Sequence, residues 1–176
     1  MNLANKITIL RILCIPFFIA FILYSKWEIA LFVFIIAAIS DGIDGYIART
    51  TKQRTELGKV LDPIADKLLI LSAFICFGVV KGLPLPVKPP HYVPIIIISR
   101  DGIIMLGALL IYFLKGHLEI KPTLLSKITT VFQMATVIGI LLKLAISPIL
   151  WNIAVGFTLL SGADYVAKGS KLLNEK

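Results

Sequence analysis

Six apolar runs account for most of this 176-residue chain. Each is close to the roughly 20 residues that an α-helix needs to cross a bilayer. Hydrophobic residues make up 58% of the chain and charged residues 16%, whereas soluble domains average about 45–50% and 25%. The pattern predicts an all-α integral membrane protein forming a single domain over 1–176. The predicted transmembrane helices are Ile7–Tyr24, Trp27–Arg49, Lys59–Val80, Tyr92–Leu114, Leu124–Leu144 and Pro148–Val166.

Basic residues at the ends of these runs are unequally divided between the two sides of the predicted bundle. The richer side holds Lys6, Arg49, Lys52, Arg54, Lys59, Lys115, Lys121, Lys127, Lys168, Lys171 and Lys176. The poorer side holds Lys26, Lys81, Lys88 and Lys143. Because cytoplasmic loops are enriched in lysine and arginine, both termini are predicted to be cytoplasmic. The net charge of +8 then belongs to loop ends beside anionic lipid, and no nucleic-acid partner is expected.

Several carboxylates lie where an apolar helix should not hold them. A charged side chain at mid-bilayer costs about 2.5–3.5 kcal/mol on insertion scales, so such groups mark functional sites by default. The acidic residues in or at the edge of apolar runs are Asp41, Asp44, Asp62, Asp66, Asp101 and Asp164. Burial of this many acids predicts a site in which they are paired, hydrated or bound to metal.

The spacing of four of these aspartates favours metal binding among these possibilities. Asp41 and Asp44 are three residues apart on the second predicted helix, and Asp62 and Asp66 are four apart on the third. Each pair therefore shares one helix face, and a short cytoplasmic turn joins the two helices. Oxygen-only ligands select hard cations such as Mg²⁺, Mn²⁺ or Ca²⁺. Two divalent ions would neutralise four carboxylates, an arrangement suited to displacement at phosphorus.

Small residues and one arginine accompany the carboxylates. Gly45, Ala48 and Gly58 leave room for a ligand, or alternatively serve only as close helix contacts. Arg49 supplies a positive charge for a phosphate, or alternatively is one more basic residue of the cytoplasmic side. The residues alone leave both alternatives open.

The stretch Asp41-Gly-Ile-Asp44-Gly45-Tyr-Ile-Ala48-Arg49, continued by Gly58, Asp62 and Asp66, resembles the CDP-alcohol phosphatidyltransferase motif D-x2-D-G-x2-A-R-x8-G-x3-D-x3-D at every fixed position. The resemblance implies transfer of a phosphatidyl group from CDP-diacylglycerol to an alcohol, with release of CMP. It implies two divalent cations, Mg²⁺ or Mn²⁺, held by the four aspartates, with Asp66 as the catalytic base. We also expect a bacterial inner-membrane enzyme whose active site lies on the basic, cytoplasmic side. The resemblance suggests a homodimer.

The resemblance also implies a set of donor-binding residues. The residues expected to bind CDP-diacylglycerol are Asn5, Thr8, Asp44, Gly45, Ala48, Arg49 and Gly58. Asn5 and Thr8 belong to an opening segment that is similar to family members, although Asn5 could instead cap the first helix.

The acceptor alcohol depends on the fourth and fifth helices. Arg100 lies within an apolar run and Lys127 opens the fifth helix, so together they are predicted to bind the acceptor's phosphate. The alternative is an ion pair of Arg100 with Asp101 or Asp164, with Lys127 merely interfacial.

Two branches of the family use acceptors that contain a glycerol phosphate unit. The segments 97–101, 121–123 and 126–129 resemble CMP-forming cardiolipin synthases, which act on phosphatidylglycerol, and this is the leading expectation. The branch that uses glycerol 3-phosphate usually has Arg-Glu and a second arginine, where this chain has Asp101 and Ala108. However, the closing segment 160–165 resembles that branch, so phosphatidylglycerophosphate synthase is the alternative.

Two other classes of protein also place acids inside a membrane. A carboxylate-lined cation transporter would spread its acids along a path and show an inverted repeat. Here the four aspartates cluster in one predicted hairpin, and no such repeat is visible. A purely structural helix bundle would tolerate replacement of Asp41, Asp44, Asp62 and Asp66 by asparagine.

Overall fold

The computed structural model describes the backbone over residues 3–50, 56–80, 87–115 and 123–174, and side chains over 9–40, 67–80, 87–107 and 123–168. These residues form six α-helices and no strand, as the apolar runs predict. The helices are α1 Leu3–Leu23, α2 Trp27–Thr50, α3 Glu56–Val79, α4 Tyr92–Lys115, α5 Leu124–Leu141 and α6 Ser147–Asn174.

The chain divides into two compact units, Met1–Pro86 and Val87–Lys176. In the first unit α1 packs against both α2 and α3. Its described core is aromatic: the rings of Phe18 and Phe34 lie 5.6 Å apart, and those of Phe74 and Phe77 meet edge to face at 6.3 Å. All four side chains are fully buried. The Phe18–Phe34 pair joins α1 to α2, and the Phe74–Phe77 pair lies on the buried side of α3.

In the second unit α6 packs against both α4 and α5. Polar side chains lie between α5 and α6: the Thr129 hydroxyl bonds to the Phe157 carbonyl at 3.1 Å, and the Gln133 amide donates to Thr158 at 3.4 Å. Hydrogen bonds of this kind join helices where the hydrophobic effect between them is weak, and they contribute about 0.6 kcal/mol each. They fix the register of α5 against α6.

The contact between α4 and α6 depends on a missing side chain. A Cβ atom at Gly107 would lie 3.1 Å from the ring of Tyr165, so only glycine lets that ring approach α4 without displacement. The Tyr165 hydroxyl donates to the Ile104 carbonyl at 3.0 Å. Together, the glycine and the hydrogen bond hold α6 against α4 one turn beyond Arg100.

Two Schellman motifs end α1 and α5. After α1, Ser25 has a left-handed φ of 57°, and after α5, Lys143 has a φ of 60°. The amide of Lys26 bonds to the Phe21 carbonyl at 2.8 Å, and the amide of Leu144 bonds to the Gly139 carbonyl at 2.9 Å. These are the bonds that satisfy the last carbonyls of a helix. The prediction that α5 continues to Leu144 is therefore wrong by one short turn.

The predicted starts of α2 and α4 are confirmed, whereas the polar ends of three helices differ from the prediction. Because α1 begins at Leu3, Asn5 lies inside it and does not cap it. The third helix begins at Glu56, before the predicted Lys59. The sixth continues to Asn174 beyond the predicted Val166, and an Asp164–Lys168 pair spans one helical turn there. Apolar length alone does not mark these ends, because helices continue into polar sequence.

Two helices in the described part of the chain are long and apolar enough to cross a membrane, over Leu124–Leu141 and Ser147–Lys168. Shorter apolar helical segments occupy Ile9–Leu23, Trp27–Ser40 and Lys67–Val79. Large apolar side chains are exposed on several helices, among them Phe17, Phe32, Leu106 and Leu160, each more than half exposed. An apolar surface of this extent is typical of a protein that contacts lipid.

Candidate functional site

The backbone of the four motif aspartates is helical. Asp41 and Asp44 lie near the end of α2, and Asp62 and Asp66 lie in the first half of α3. The spacings of three and four residues therefore place each pair on one helix face, and α2 and α3 contact one another. The side chains of all four lie outside the described residues, so their metal-binding and catalytic roles remain predictions.

The predicted donor-binding residues are likewise placed by backbone only. Asn5 and Thr8 lie in α1, Gly45, Ala48 and Arg49 in α2, and Gly58 in α3. Their side chains, like that of Asp44, are outside the described part of the chain. Among the side chains that the structure does describe, no group of three or more His, Cys, Asp or Glu could hold a metal ion. The predicted metal-binding and catalytic roles of the motif aspartates are therefore supported by their sequence spacing and their positions on the helices.

Arg100 is the best-defined charged group of the described residues. It lies on α4, is only 5% exposed, and its Nη1 is 2.5 Å from a carboxylate oxygen of Asp101, which is 4% exposed. Its Nη2 donates to the Ser126 hydroxyl of α5 at 3.0 Å and to the Ser161 hydroxyl of α6. One guanidinium therefore connects all three helices of the second unit.

The alternative of an Arg100–Asp101 ion pair is thus present in the structure, whereas the Arg100–Asp164 pair is not. Asp164 instead pairs with Lys168 at 2.8 Å, where the two side chains are 30% and 58% exposed. A pair in water contributes little, about 0–1 kcal/mol, whereas loss of one partner from a buried pair is strongly destabilising. The buried pair with Asp101 is therefore the ion pair that contributes to the position of the Arg100 guanidinium.

The guanidinium retains binding capacity after these bonds. Arginine has five N–H donors, and Asp101, Ser126 and Ser161 use three of them. The Nε atom is buried and has no hydrogen-bond partner among the described residues. Because an unsatisfied buried donor is destabilising, the free donors favour an anion or water at this position.

Lys127 is not part of this arrangement. Its side chain is exposed at the first turn of α5, whereas Arg100 is buried. Its backbone amide bonds to the Thr123 carbonyl at 3.2 Å, within the helix start that the Thr123 hydroxyl caps. The predicted pairing of Arg100 and Lys127 on one phosphate is therefore not visible in these contacts, and the role of Lys127 remains a prediction.

A groove of ≈ 320 Å³ lies between α4 and α6 beside Arg100. Its walls are mostly apolar, with Ile95, Ile96 and Ile103 on α4 and Leu159 and Val166 on α6. Gly162 packs beside the aliphatic part of Arg100, since a Cβ at that position would lie 3.4 Å from Cγ of Arg100, an ordinary contact distance. The groove therefore contacts the aliphatic stem of the arginine, while the guanidinium is bound by the serines and Asp101.

Sequence reasoning missed Ser126 and Ser161 as functional candidates. Serines at these positions have no unusual spacing. They lie in segments 126–129 and 160–165, whose resemblance to family members assigns the serines no role. The one available indication was Arg100 itself, because a buried arginine requires polar partners on neighbouring helices.

Comparison with known proteins agrees with the motif. The profile of the family "CDP-alcohol phosphatidyltransferase" matches residues 1–160. A protein of Bacillus subtilis named CDP-diacylglycerol–glycerol-3-phosphate 3-phosphatidyltransferase is 34% identical, over 98% of this chain and 97% of its own length. Proteins of the same name from Haemophilus influenzae and Aquifex aeolicus are 36% and 27% identical, each over 98% of this chain and 97% and 98% of their own lengths.

These matches extend over nearly the whole chain and include the segment that contains the aspartates, the small residues and Arg49. The chain belongs to the CDP-alcohol phosphatidyltransferase family.

Proposed function

We propose that this protein transfers the phosphatidyl group of CDP-diacylglycerol to a hydroxyl of glycerol 3-phosphate and releases CMP. The observation that carries the proposal is the likeness, over nearly full length, to proteins named for this reaction. The buried Arg100, with donors still unused, supports an anionic acceptor. Glycerol 3-phosphate offers both the required hydroxyl and a phosphate.

The relatives favour glycerol 3-phosphate over phosphatidylglycerol, the acceptor that led our sequence expectations. That expectation was based on the resemblance of segments 97–101, 121–123 and 126–129 to cardiolipin synthases. It was also based on Asp101 and Ala108, which stand where the glycerol 3-phosphate branch usually has a glutamate and a second arginine. We give more weight to the likeness, over nearly full length, to proteins named for the glycerol 3-phosphate reaction than to these two differences.

One structural observation still favours the cardiolipin synthase alternative. Asp101 already pairs with Arg100, so the local charge is better balanced for a phosphodiester monoanion than for a phosphomonoester dianion. Phosphatidylglycerol is therefore the second acceptor to test.

The donor set of the motif fits divalent metal ions in its chemistry, because four carboxylates offer only oxygen ligands. We expect Asp41, Asp44, Asp62 and Asp66 to hold two cations, Mg²⁺ or Mn²⁺. When bound, such cations neutralise charge on the donor's pyrophosphate. Excess chelator should therefore abolish CMP release, and added Mg²⁺ or Mn²⁺ should restore it. Full activity in chelator would contradict metal dependence.

The protein's own groups supply the remaining steps. Asp66 accepts the proton of the acceptor hydroxyl, and the hydroxyl oxygen then forms a bond to the phosphatidyl phosphorus as the bond to CMP breaks. The donor is expected to be bound by Asn5, Thr8, Gly45, Ala48, Arg49 and Gly58, together with Asp44. Arg100 binds the acceptor's phosphate, and Lys127 contributes positive charge at the start of α5.

The setting proposed for this reaction is the bacterial inner membrane. Bacterial relatives and exposed apolar helices support a membrane location. Six spans, cytoplasmic termini and a cytoplasmic active site follow from the apolar runs and the basic loop ends. A homodimer remains a prediction from the family resemblance.

The proposal is tested by supplying each acceptor separately to the purified protein. CDP-diacylglycerol and Mg²⁺ or Mn²⁺ are given with glycerol 3-phosphate or with phosphatidylglycerol, and lipid products are identified by mass. Phosphatidylglycerophosphate with the first acceptor is expected. Cardiolipin with the second alone would establish the alternative, and no CMP with either would contradict both.

A further inference from the structure

We propose that Ser126 of α5 and Ser161 of α6 are positioning residues that fix the Arg100 guanidinium for the acceptor's phosphate. The proposal rests on the proposed function and deepens it. Both serines bond to the same nitrogen, Nη2, while Asp101 bonds to Nη1. The guanidinium is therefore bound on one side by three helices, and its orientation is set before any ligand arrives.

The hydrogen bond of Ser161 distinguishes it from the other buried hydroxyls of α5 and α6. Thr129, Thr136 and Thr158 donate to the carbonyl four residues earlier in their own helices. Serine in an apolar helix commonly does the same. Ser161 is 1% exposed, yet its oxygen accepts a bond from Arg100, and the described residues show no bond from its hydroxyl to a backbone carbonyl.

The half-buried Ser126 also uses its side-chain oxygen as an acceptor for Arg100. Its backbone amide donates to the Thr123 hydroxyl at 3.2 Å, which caps α5, and its side-chain oxygen accepts from Arg100 at 3.0 Å. The helix cap fixes the Ser126 backbone, so the position of its hydroxyl is defined as well. In both serines the hydroxyl proton has no acceptor among the described residues.

These bonds determine which donors remain for a ligand. Among the described residues, Nε–H and the second proton of Nη1 have no acceptor, and neither do the two serine protons. Hydrogen-bond donors without acceptors, beside a buried cation, form a site for an oxyanion such as a phosphate. Rigid positioning lowers the entropy that an arginine loses on binding. Loss of either serine should therefore weaken acceptor binding selectively.

The test compares Ser126→Ala, Ser161→Ala and the double variant with the wild type. The single variants should raise KM for glycerol 3-phosphate about 10-fold, the effect of one lost charge-assisted hydrogen bond. KM for CDP-diacylglycerol should change less than about 2-fold. Ser126→Thr retains the hydroxyl and should restore the wild-type value.

Two controls separate positioning from general packing. Ser72→Ala makes the same change at a buried serine of α3, whose hydroxyl donates to the Leu69 carbonyl at 2.7 Å. Thr136→Val removes a buried hydroxyl of α5 that donates to the Phe132 carbonyl of its own helix at 2.8 Å rather than contacting Arg100. Both should leave KM for glycerol 3-phosphate unchanged. An equal rise in the controls, or no rise in the serine variants, would overturn the proposal.

A binding measurement without the donor distinguishes failure of this inference from failure of the proposed reaction. Glycerol 3-phosphate should raise the thermal unfolding temperature of the wild type, and this rise should shrink in Ser161→Ala. If the wild type shows the rise but no CMP release, the proposed reaction fails and the positioning role stands. No rise in the wild type, or an equal rise in all variants, would refute the positioning role.

Discussion

The carboxylate of Asp101 lies 2.5 Å from Nη1 of Arg100, its neighbour in the chain, and both side chains are buried. Adjacent residues of a helix point about 100° apart, and the long arginine side chain spans this angle to reach Asp101 while it also bonds to serines of α5 and α6. The result is a locally neutral pair at a depth where either charge alone would be unfavourable.

Replacement of Asp101 by asparagine should destabilise the protein by about 3 kcal/mol, because it leaves a buried cation without its counter-charge. The matched control is Asp164→Asn, which removes the same charge from the exposed pair with Lys168. That change should cost less than about 1 kcal/mol. Thermal unfolding in detergent measures both, and equal losses would contradict the distinction between the two pairs.

Replacement of Arg100 should affect KM for the acceptor but not KM for the donor. Arg100→Ala is expected to raise KM for glycerol 3-phosphate by about 10- to 100-fold, the loss of a charged hydrogen-bond donor set, and to spare KM for CDP-diacylglycerol. Arg100→Lys should not restore it, because lysine lacks the planar fork that binds Asp101 and both serines together. Steady-state CMP release at varied acceptor and donor gives both constants.

Because Arg100→Ala alone leaves Asp101 buried and unpaired, the double variant Arg100→Ala/Asp101→Asn is the control for folding. It should show the same loss of acceptor binding with smaller destabilisation. If donor and acceptor constants rise equally in both variants, Arg100 is structural and does not bind the acceptor.

Asp66→Asn should reduce kcat by about 100-fold or more, because asparagine cannot accept the hydroxyl proton. Asp66 lies in the helical part of α3, and asparagine is close to aspartate in shape, so the protein should fold and bind CDP-diacylglycerol. Single-turnover CMP release and donor binding are measured on the same preparation. Normal turnover would exclude Asp66 as the base.

Gly107→Ala should destabilise the second unit by about 1–3 kcal/mol, the usual penalty of overpacking, because the added methyl group would lie 3.1 Å from the Tyr165 ring. Gly102→Ala, on the same helix, is the control. No heavy atom lies within 4 Å of its added Cβ, so higher helix propensity should leave stability equal or raised by up to about 1 kcal/mol. Equal thermal stability of the two variants would contradict the close α4–α6 contact.

The sequence predicted much of the helical pattern because apolar length and its interruptions are visible directly. Trp27 and Tyr92 begin helices as expected. Trp27 follows a short polar break between two apolar runs, and Tyr92 follows a proline-rich segment. The helix ends in polar sequence were less predictable. The Schellman motif at Lys143 requires a left-handed lysine, which the residue type does not favour, and so the early end of α5 could not be anticipated.

The hydrogen-bond partners of Arg100 could be predicted from the sequence only in part. The sequence indicated that a buried arginine needs polar neighbours, and Asp101 was one of the partners considered. Ser126 and Ser161 lie 26 and 61 residues away along the chain, and only helix packing brings them to the guanidinium. For the four aspartates, the helical backbone places each pair on one helix face, while their metal-binding and catalytic roles remain predictions from the motif.

The most direct measurement offers both acceptors to the enzyme at once. Purified protein receives CDP-diacylglycerol, Mg²⁺ or Mn²⁺, and equal concentrations of glycerol 3-phosphate and phosphatidylglycerol, and the initial products are separated by mass. We expect phosphatidylglycerophosphate as the main product, with one CMP released per molecule of product and with little cardiolipin. Cardiolipin as the main initial product would contradict this expectation.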